Sequence, residues 1–228
     1  MIARNHLIIL LLLELVAVAL SVAFAFVLPA TVPVHWGLSG TPDAFGPRWH
    51  LLVLMPAVGL GLIVLMAVLP RLGPFRENFL RFRKTYSRLL IVILGGLVGL
   101  HLVILLAARG GIAIGPALAI VIGVMVALMG NWLGKVRRNF YLGIRTPWTL
   151  ASEEVWERTH RAGARVFVVW GVVLFVCGLT GSNAIAMVAA VGGAVAVVVW
   201  SIAYSLTAYR RLNQPDDLGP EPRAERSR

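Results

Sequence analysis

Glu14 is the first residue of this chain whose type and setting point to chemistry. It is a carboxyl seven residues into an unbroken apolar run at 7–28, and an acid so placed is costly and normally faces a bundle interior or a water-filled cavity. At 1.5 Å per helical residue it lies roughly 10 Å from the start of the run. Ser201 and Tyr204 in the last apolar run match that depth, so Glu14 is expected to be neutral or hydrogen-bonded to one of them, as a structural contact or as a proton relay. His101 lies about 8 Å deeper and reads as an interhelical hydrogen-bonding group.

Two polar clusters carry the remaining candidates. The first, VPVHWGLSGTPDAFGPRWH at 32–50, holds His35, Trp36, Gly40, Pro42, Asp43 and Gly46 as ligand-contact candidates. Zinc held by His35, Asp43 and His50 is the sharper alternative, but their spacing matches no compact ligand pattern. Trp36, Phe45 and Trp49 read as interface anchors. Pro33, Pro42 and Pro47 with Gly37, Gly40 and Gly46 break the stretch into turns, so it reads as a structured cap.

The second cluster, 130–167, ends one segment at Pro147 and starts a helix with Thr149 or Ser152 as cap and Glu153 and Glu154 in its first turn. Glu154 with Arg158 and Glu157 with Arg161 are i, i+4 pairs on a solvated face. Trp156, His160, Gly163 and Phe167 line up on the other side, toward the membrane. Neither cluster contains a serine or cysteine nucleophile beside a base, or a phosphate-cradling glycine loop, so the sequence implies no enzyme and no cofactor. Cys177 is the single cysteine, which excludes an intrachain disulfide.

The elements that must position these residues follow from composition. With 59% hydrophobic and 14% charged residues in 228, the chain belongs with membrane proteins. Apolar runs at 7–28, 51–69, 89–108, 112–133, 164–180 and 184–206 predict six transmembrane helices. A secretory-signal reading of the first run, with a cleavage site at AFA (23–25), competes with a helix, but the run continues beyond that site. Of the 21 Lys and Arg, eighteen fall in segments 1–6, 70–88, 134–163 and 207–228, and only Arg48 and Arg109 fall in the alternate connections. Positive charge is retained on the cytoplasmic side, which puts both termini inside and the 29–50 loop outside. The fold class is therefore an all-α integral membrane protein, N-in and C-in, with a structured extracytoplasmic loop and amphipathic cytoplasmic segments. The net charge of +11 is explained by topology, which removes direct nucleic-acid binding as a reading.

Phe75, Phe79, Phe82 and Tyr86 recur at helical spacing among Arg76, Arg81, Arg83 and Lys84. That pattern predicts an amphipathic helix lying on the inner headgroup layer, with docking of a protein partner as the alternative. Gly95 and Gly99 have the spacing for close helix approach. The 207–228 tail reads as disordered. The expected domains are 1–70, 71–206 and that tail.

Residues 130–161, GNWLGKVRRNFYLGIRTPWTLASEEVWERTHR, resemble the later domain of the SdpI family of bacterial membrane proteins, named for immunity to a sporulation-delaying toxin. VPVHWGLSGTPDAFG resembles the uncharacterised membrane domain that often precedes it. The resemblance implies an inner-membrane protein giving resistance to a secreted antibacterial peptide. In the founding system it also implies capture of a cytoplasmic autorepressor. The motif positions carried over are Gly130, Asn131, Gly134, Lys135, Asn139, Gly143, Arg145, Thr146, Pro147, Trp148, Thr149, Glu154, Trp156 and His160. Partners so implied are membrane lipids, a peptide toxin outside and a repressor inside. The rival reading is a small proton-coupled transporter or permease using Glu14 and His101.

Overall fold

The computed structural model describes residue 2, residues 4–72 and residues 76–213. Among these, α1 (Arg4–Ala25) leads into a hairpin of β1 (Thr31–Trp36) and β2 (Pro42–Pro47). There follow α2 (Trp49–Leu72), α3 (Arg76–Ala108), α4 (Ile114–Leu133), α5 (Pro147–Ala151), α6 (Glu153–Leu179) and α7 (Asn183–Leu212). All helices but the short α5 are long and apolar enough to cross a membrane, which gives the six expected spans. The burial pattern agrees with that solvent. Leu15 and Val188 are 62% and 73% exposed, while Ser21, His101, Ser201 and Ser205 are buried, an inversion that water would penalise and lipid does not.

The helices α1, α2 and α3 pack on one another, and α4 joins them through α3 while packing mainly on α6. Within the first trio, side chains meet in layers seven residues apart, about 10 Å along each axis. One layer is Ser21, Leu52 and His101. The Ser21 hydroxyl donates to the Leu52 carbonyl at 2.6 Å, leaving its oxygen to accept from His101 Nε2 at 2.9 Å. Replacing Ser21 with Ala strands that imidazole N–H in hydrocarbon. The expected loss is about 1 kcal/mol, measurable as a lower midpoint of unfolding in detergent.

The next layer corrects the expectation for Glu14. Its carboxylate lies against Gly59 and Leu94, where a methyl group added at Gly59 would collide with Oε2. Oε2 is buried with no hydrogen-bond partner among the described residues. Ser201 instead donates to the Val197 carbonyl of its own helix at 2.7 Å, and Tyr204 stacks on Trp200. Depth along a helix axis carries no information about which helices are neighbours.

The α4–α6 pair approaches most closely where glycines face backbone. A Cβ at Gly123 would lie 2.6 Å from Phe175 N, one at Gly130 2.8 Å from Ala164 O, and one at Gly178 2.8 Å from Pro116 O. The expected Gly95–Gly99 contact is only half present. Gly95 faces open space, while Gly99 meets Val121 of α4.

The amphipathic segment is also placed differently. It forms the first turns of α3 itself, which breaks from helical geometry at Phe82 (φ −119°, ψ 20°). Phe79, Phe82 and Tyr86 are buried in a cluster with Leu10 and Trp156 rather than laid on lipid, because α1 and the segment after α4 cover that face. The Phe75 side chain lies outside the described residues. The 207–228 tail begins inside α7, which runs to Leu212, and residues beyond 213 lie outside the described residues.

Candidate functional site: an outer hairpin and an inner cap

The outer loop is a β-hairpin, which turn signals alone did not specify. Val32 on β1 is fully buried against Leu28, Leu51, Leu105 and Ala108, so apolar burial fixes one face of the strand on the outer end of α3. The pairing sets Thr31 opposite Pro47, Val32 opposite Gly46 and Pro33 opposite Phe45. At the tip, Gly40 takes φ +80°, a conformation other residues rarely tolerate. Asn183, at the start of α7, donates from Nδ2 to the Ser39 carbonyl at 2.7 Å. Arg48 Nη1 closes the base by donating to the Leu28 carbonyl at 2.7 Å. The hairpin is thereby tied to elements far apart in sequence.

His35 Nδ1 and Asp43 Oδ1 meet at 2.5 Å across the hairpin, both exposed. His50 turns away to Trp49, with ring centroids 4.0 Å apart. No group of three or more His, Cys, Asp or Glu side chains gathers at metal-holding distance among the described residues. Phe45 and Trp49 are exposed, as interface anchors would be, but Trp36 packs inward against both the α3 face and Ile114 of α4. Pro42 and Asp43 lie on the open strand, and Gly46 packs beside Val34 and His50. Beneath the hairpin is a cavity of about 290 Å³ lined by Trp36, Leu38, Ile104, Ile114, Gly115 and Asn183.

The inner cluster folds into a cap bonded from within. Asn139 is fully buried: its Nδ2 donates to the Arg137 and Leu142 carbonyls, and its Oδ1 accepts from the Tyr141 and Leu142 N–H groups at 2.8 and 2.7 Å. One side chain thus supplies four hydrogen bonds to a turn that has no regular structure of its own. Thr146 caps α5 by accepting from Thr149 N at 3.2 Å, and Thr149 Oγ1 accepts from Thr146 N at 2.9 Å. Pro147 sits at the first helical turn, where its missing N–H is harmless. Thr146 also donates to Ser205 Oγ at 3.0 Å, linking the cap to α7.

Trp156 and His160 form the floor of this cap and do not face the membrane as expected. They stack at 4.0 Å. Trp156 Nε1 donates to the Val136 carbonyl at 2.7 Å. His160 Nε2 lies 3.0 Å from the Ile144 N–H, which can only donate, so Nε2 is unprotonated and Nδ1–H donates to the Trp156 carbonyl at 2.8 Å. That arrangement requires the neutral imidazole. Gly143 (φ +116°) leaves no room for a Cβ above the same ring, and a Cβ at Gly163 would lie 2.6 Å from Ile144 Cδ1.

The charges partly re-pair. Glu154 and Arg158 meet at 2.5 Å as expected. Glu157 binds Arg137 of the cap instead of Arg161, and Glu153 meets Arg138 at 3.3 Å. Arg145 donates to the Phe140 carbonyl. Asn131, Gly134, Lys135, Arg145, Pro147 and Glu154 are exposed, and Trp148 is half-buried. Of the residues that sequence reasoning missed, Asn183 and Ser205 matter most. Asn183 falls between two apolar runs of the sequence and opens α7, and Ser205 lies within an apolar helix, and neither setting signals a long-range partner.

Six apolar spans with an outer hairpin and a bonded inner cap define a multi-pass membrane protein with organised structure at both ends. Residues 135–205 match the SdpI/YfhL protein family, and residues 12–60 match a domain of unknown function, DUF1648. The chain is 26% identical over 187 residues to the Immunity protein SdpI of Bacillus subtilis (strain 168), covering 82% of this chain and 87% of that protein. No solved structure matches. The resemblance read from residues 130–161 therefore holds over this inner-cap domain, and the protein is a multi-pass protein of the bacterial cell membrane.

Proposed function

We propose that this chain is a membrane immunity protein, giving its cell resistance to a secreted antibacterial peptide. The observation that carries the reading is its similarity to an immunity protein over 82% of this chain and 87% of that protein. The outer hairpin supports it, because a turn-rich strap presenting His35, Leu38, Asp43 and Phe45 stands where a secreted peptide would arrive. Expression in cells lacking their own immunity factor should restore survival across a titration of sporulation-delaying toxin. No rescue, with membrane insertion confirmed, would contradict this reading.

A signalling role is the finer part of the proposal. The inner cap separates into a scaffold of Asn139, Thr149, Trp156 and His160 and an exposed surface of Arg145, Pro147 and Glu154 with half-buried Trp148. That surface is the one offered to a cytoplasmic repressor. Peptide binding outside reaches it only by favouring one bundle state over another. Arg145→Ala and Trp148→Ala should weaken partner capture, and their failure to alter capture or resistance would count against the role.

One observation favours a second reading, proton-coupled transport: the buried and unpartnered Glu14 Oε2. Proton-dependent flux in liposomes that Glu14→Gln abolishes would establish it.

A further inference from the structure

At the inner end of the bundle a concavity of about 410 Å³ opens between the first turns of α3, the segment after α4 and the first turns of α6. Its polar lining is Arg81, Thr85, Lys135, Arg137, Glu157 and Arg161. We propose that it binds the phosphate of an acidic phospholipid headgroup.

The charge balance is the first argument. Four cations share the concavity with one carboxylate, and that carboxylate, Glu157, is paired with Arg137. Among the described residues no ion pair occupies Arg81, Lys135 or Arg161. Retention of positive charge inside accounts for Lys and Arg at helix ends, but not for three unpaired cations brought to one hollow by three separate elements. Within a Debye length of about 8 Å such charges repel, and a bound anion relieves the repulsion.

Depth selects the anion. Lys135 stands two residues past the end of α4 at Leu133, and Arg161 stands three residues before the apolar part of α6 at Ala164. Arg161 therefore lies about 5 Å along the helix axis from that apolar part, inside a headgroup layer roughly 5–7 Å thick, and Lys135 lies in the turn that ends α4. Arg81 is drawn from farther out, next to the helical break at Phe82, which also lines the hollow. Lys135 Nζ lies 4.6 Å from the Trp132 ring centroid, and Arg88 lies 4.5 Å from the same ring, so one tryptophan near the end of an apolar span carries two cations, the pairing of aromatic and basic residues that marks membrane interfaces. Guanidinium forks from Arg81 and Arg161 suit the paired oxygens of a phosphodiester, and the Thr85 hydroxyl adds a donor.

The test is native mass spectrometry of the full chain in detergent, titrated with phosphatidylglycerol or with phosphatidylcholine of the same acyl chains. Wild type should retain phosphatidylglycerol about tenfold more strongly, and Arg81→Gln with Arg161→Gln should reduce the preference to about twofold. Arg81→Lys with Arg161→Lys should keep most of it, which separates lost charge from lost fold, and Arg109→Gln at the outer end should change nothing. Equal retention of the two lipids, a preference unchanged in the Gln variant, or displacement of phosphatidylglycerol by millimolar inorganic phosphate or by an acidic peptide would overturn the assignment.

Discussion

Gly143→Ala is expected to destabilise the inner cap by about 3 kcal/mol. The position has φ +116°, which alone costs an L-residue about 1–2 kcal/mol. The added methyl group would also press on His160 Nε2 and lie 3.3 Å from Trp156 Cη2. The imidazole can move away only by giving up the 3.0 Å bond it accepts from Ile144 N, and a buried N–H left unpaired adds about 1–3 kcal/mol. The measurement is denaturant unfolding in detergent followed by tryptophan fluorescence. A variant within about 0.5 kcal/mol of wild type would show that Gly143 does not seat the ring. His160→Ala should fall in the same range, and the double variant should lose less than the two singles combined, because both act on one contact.

Gly171→Ala should cost a similar amount, about 3 kcal/mol, by a different route. Here the backbone is ordinary helix, but the new Cβ would lie 2.6 Å from Gly123 O and 2.8 Å from Ala127 Cα, with Ala127 N nearer still. Backbone atoms cannot rotate aside as a side chain can, so α4 and α6 must separate. Separation forfeits contact along the seam that also holds Gly130 against Ala164 and Gly178 against Pro116. Adding Gly123→Ala to Gly171→Ala should therefore cost less than its single effect, since the first change already opens the gap. Full additivity would mean that each glycine is accommodated locally and that the helices do not move as units.

The spans were legible because hydropathy and helix length are one-dimensional signals, and the charge asymmetry added sidedness. The outer cap was legible as an ordered, turn-rich stretch, since proline and glycine mark turns wherever they stand. Its hairpin was not, because a six-residue strand anchored by Val32 alone shows no alternation strong enough to read. Glu14 was recognised as anomalous yet assigned the wrong neighbours. Polar depth can be computed from sequence, whereas the adjacency of α1 to α2 and α3 depends on packing. The aromatic stripe of 79–86 had the correct periodicity, but an apolar helical face looks the same whether protein or lipid covers it. The family motif at 130–161 was visible as a string, and the structure gives much of it a physical reason. Asn139 bonds the turn from Arg137 to Leu142, Thr146 and Thr149 bond each other, and Gly143 packs on the stacked Trp156 and His160, so that portion encodes the cap itself, while Arg145, Pro147 and Glu154 are exposed.

The outer hairpin as the place where the secreted peptide is met is tested most directly by photo-crosslinking in intact cells. A photoreactive residue at Leu38 or Phe45, 78% and 63% exposed on the hairpin, should capture the added peptide. The same residue at Leu80, 64% exposed at the inner end, should not. Crosslinks at Leu38 or Phe45 that compete with unlabelled peptide are the predicted result. Absence of any hairpin crosslink in cells that the protein nonetheless protects would contradict it.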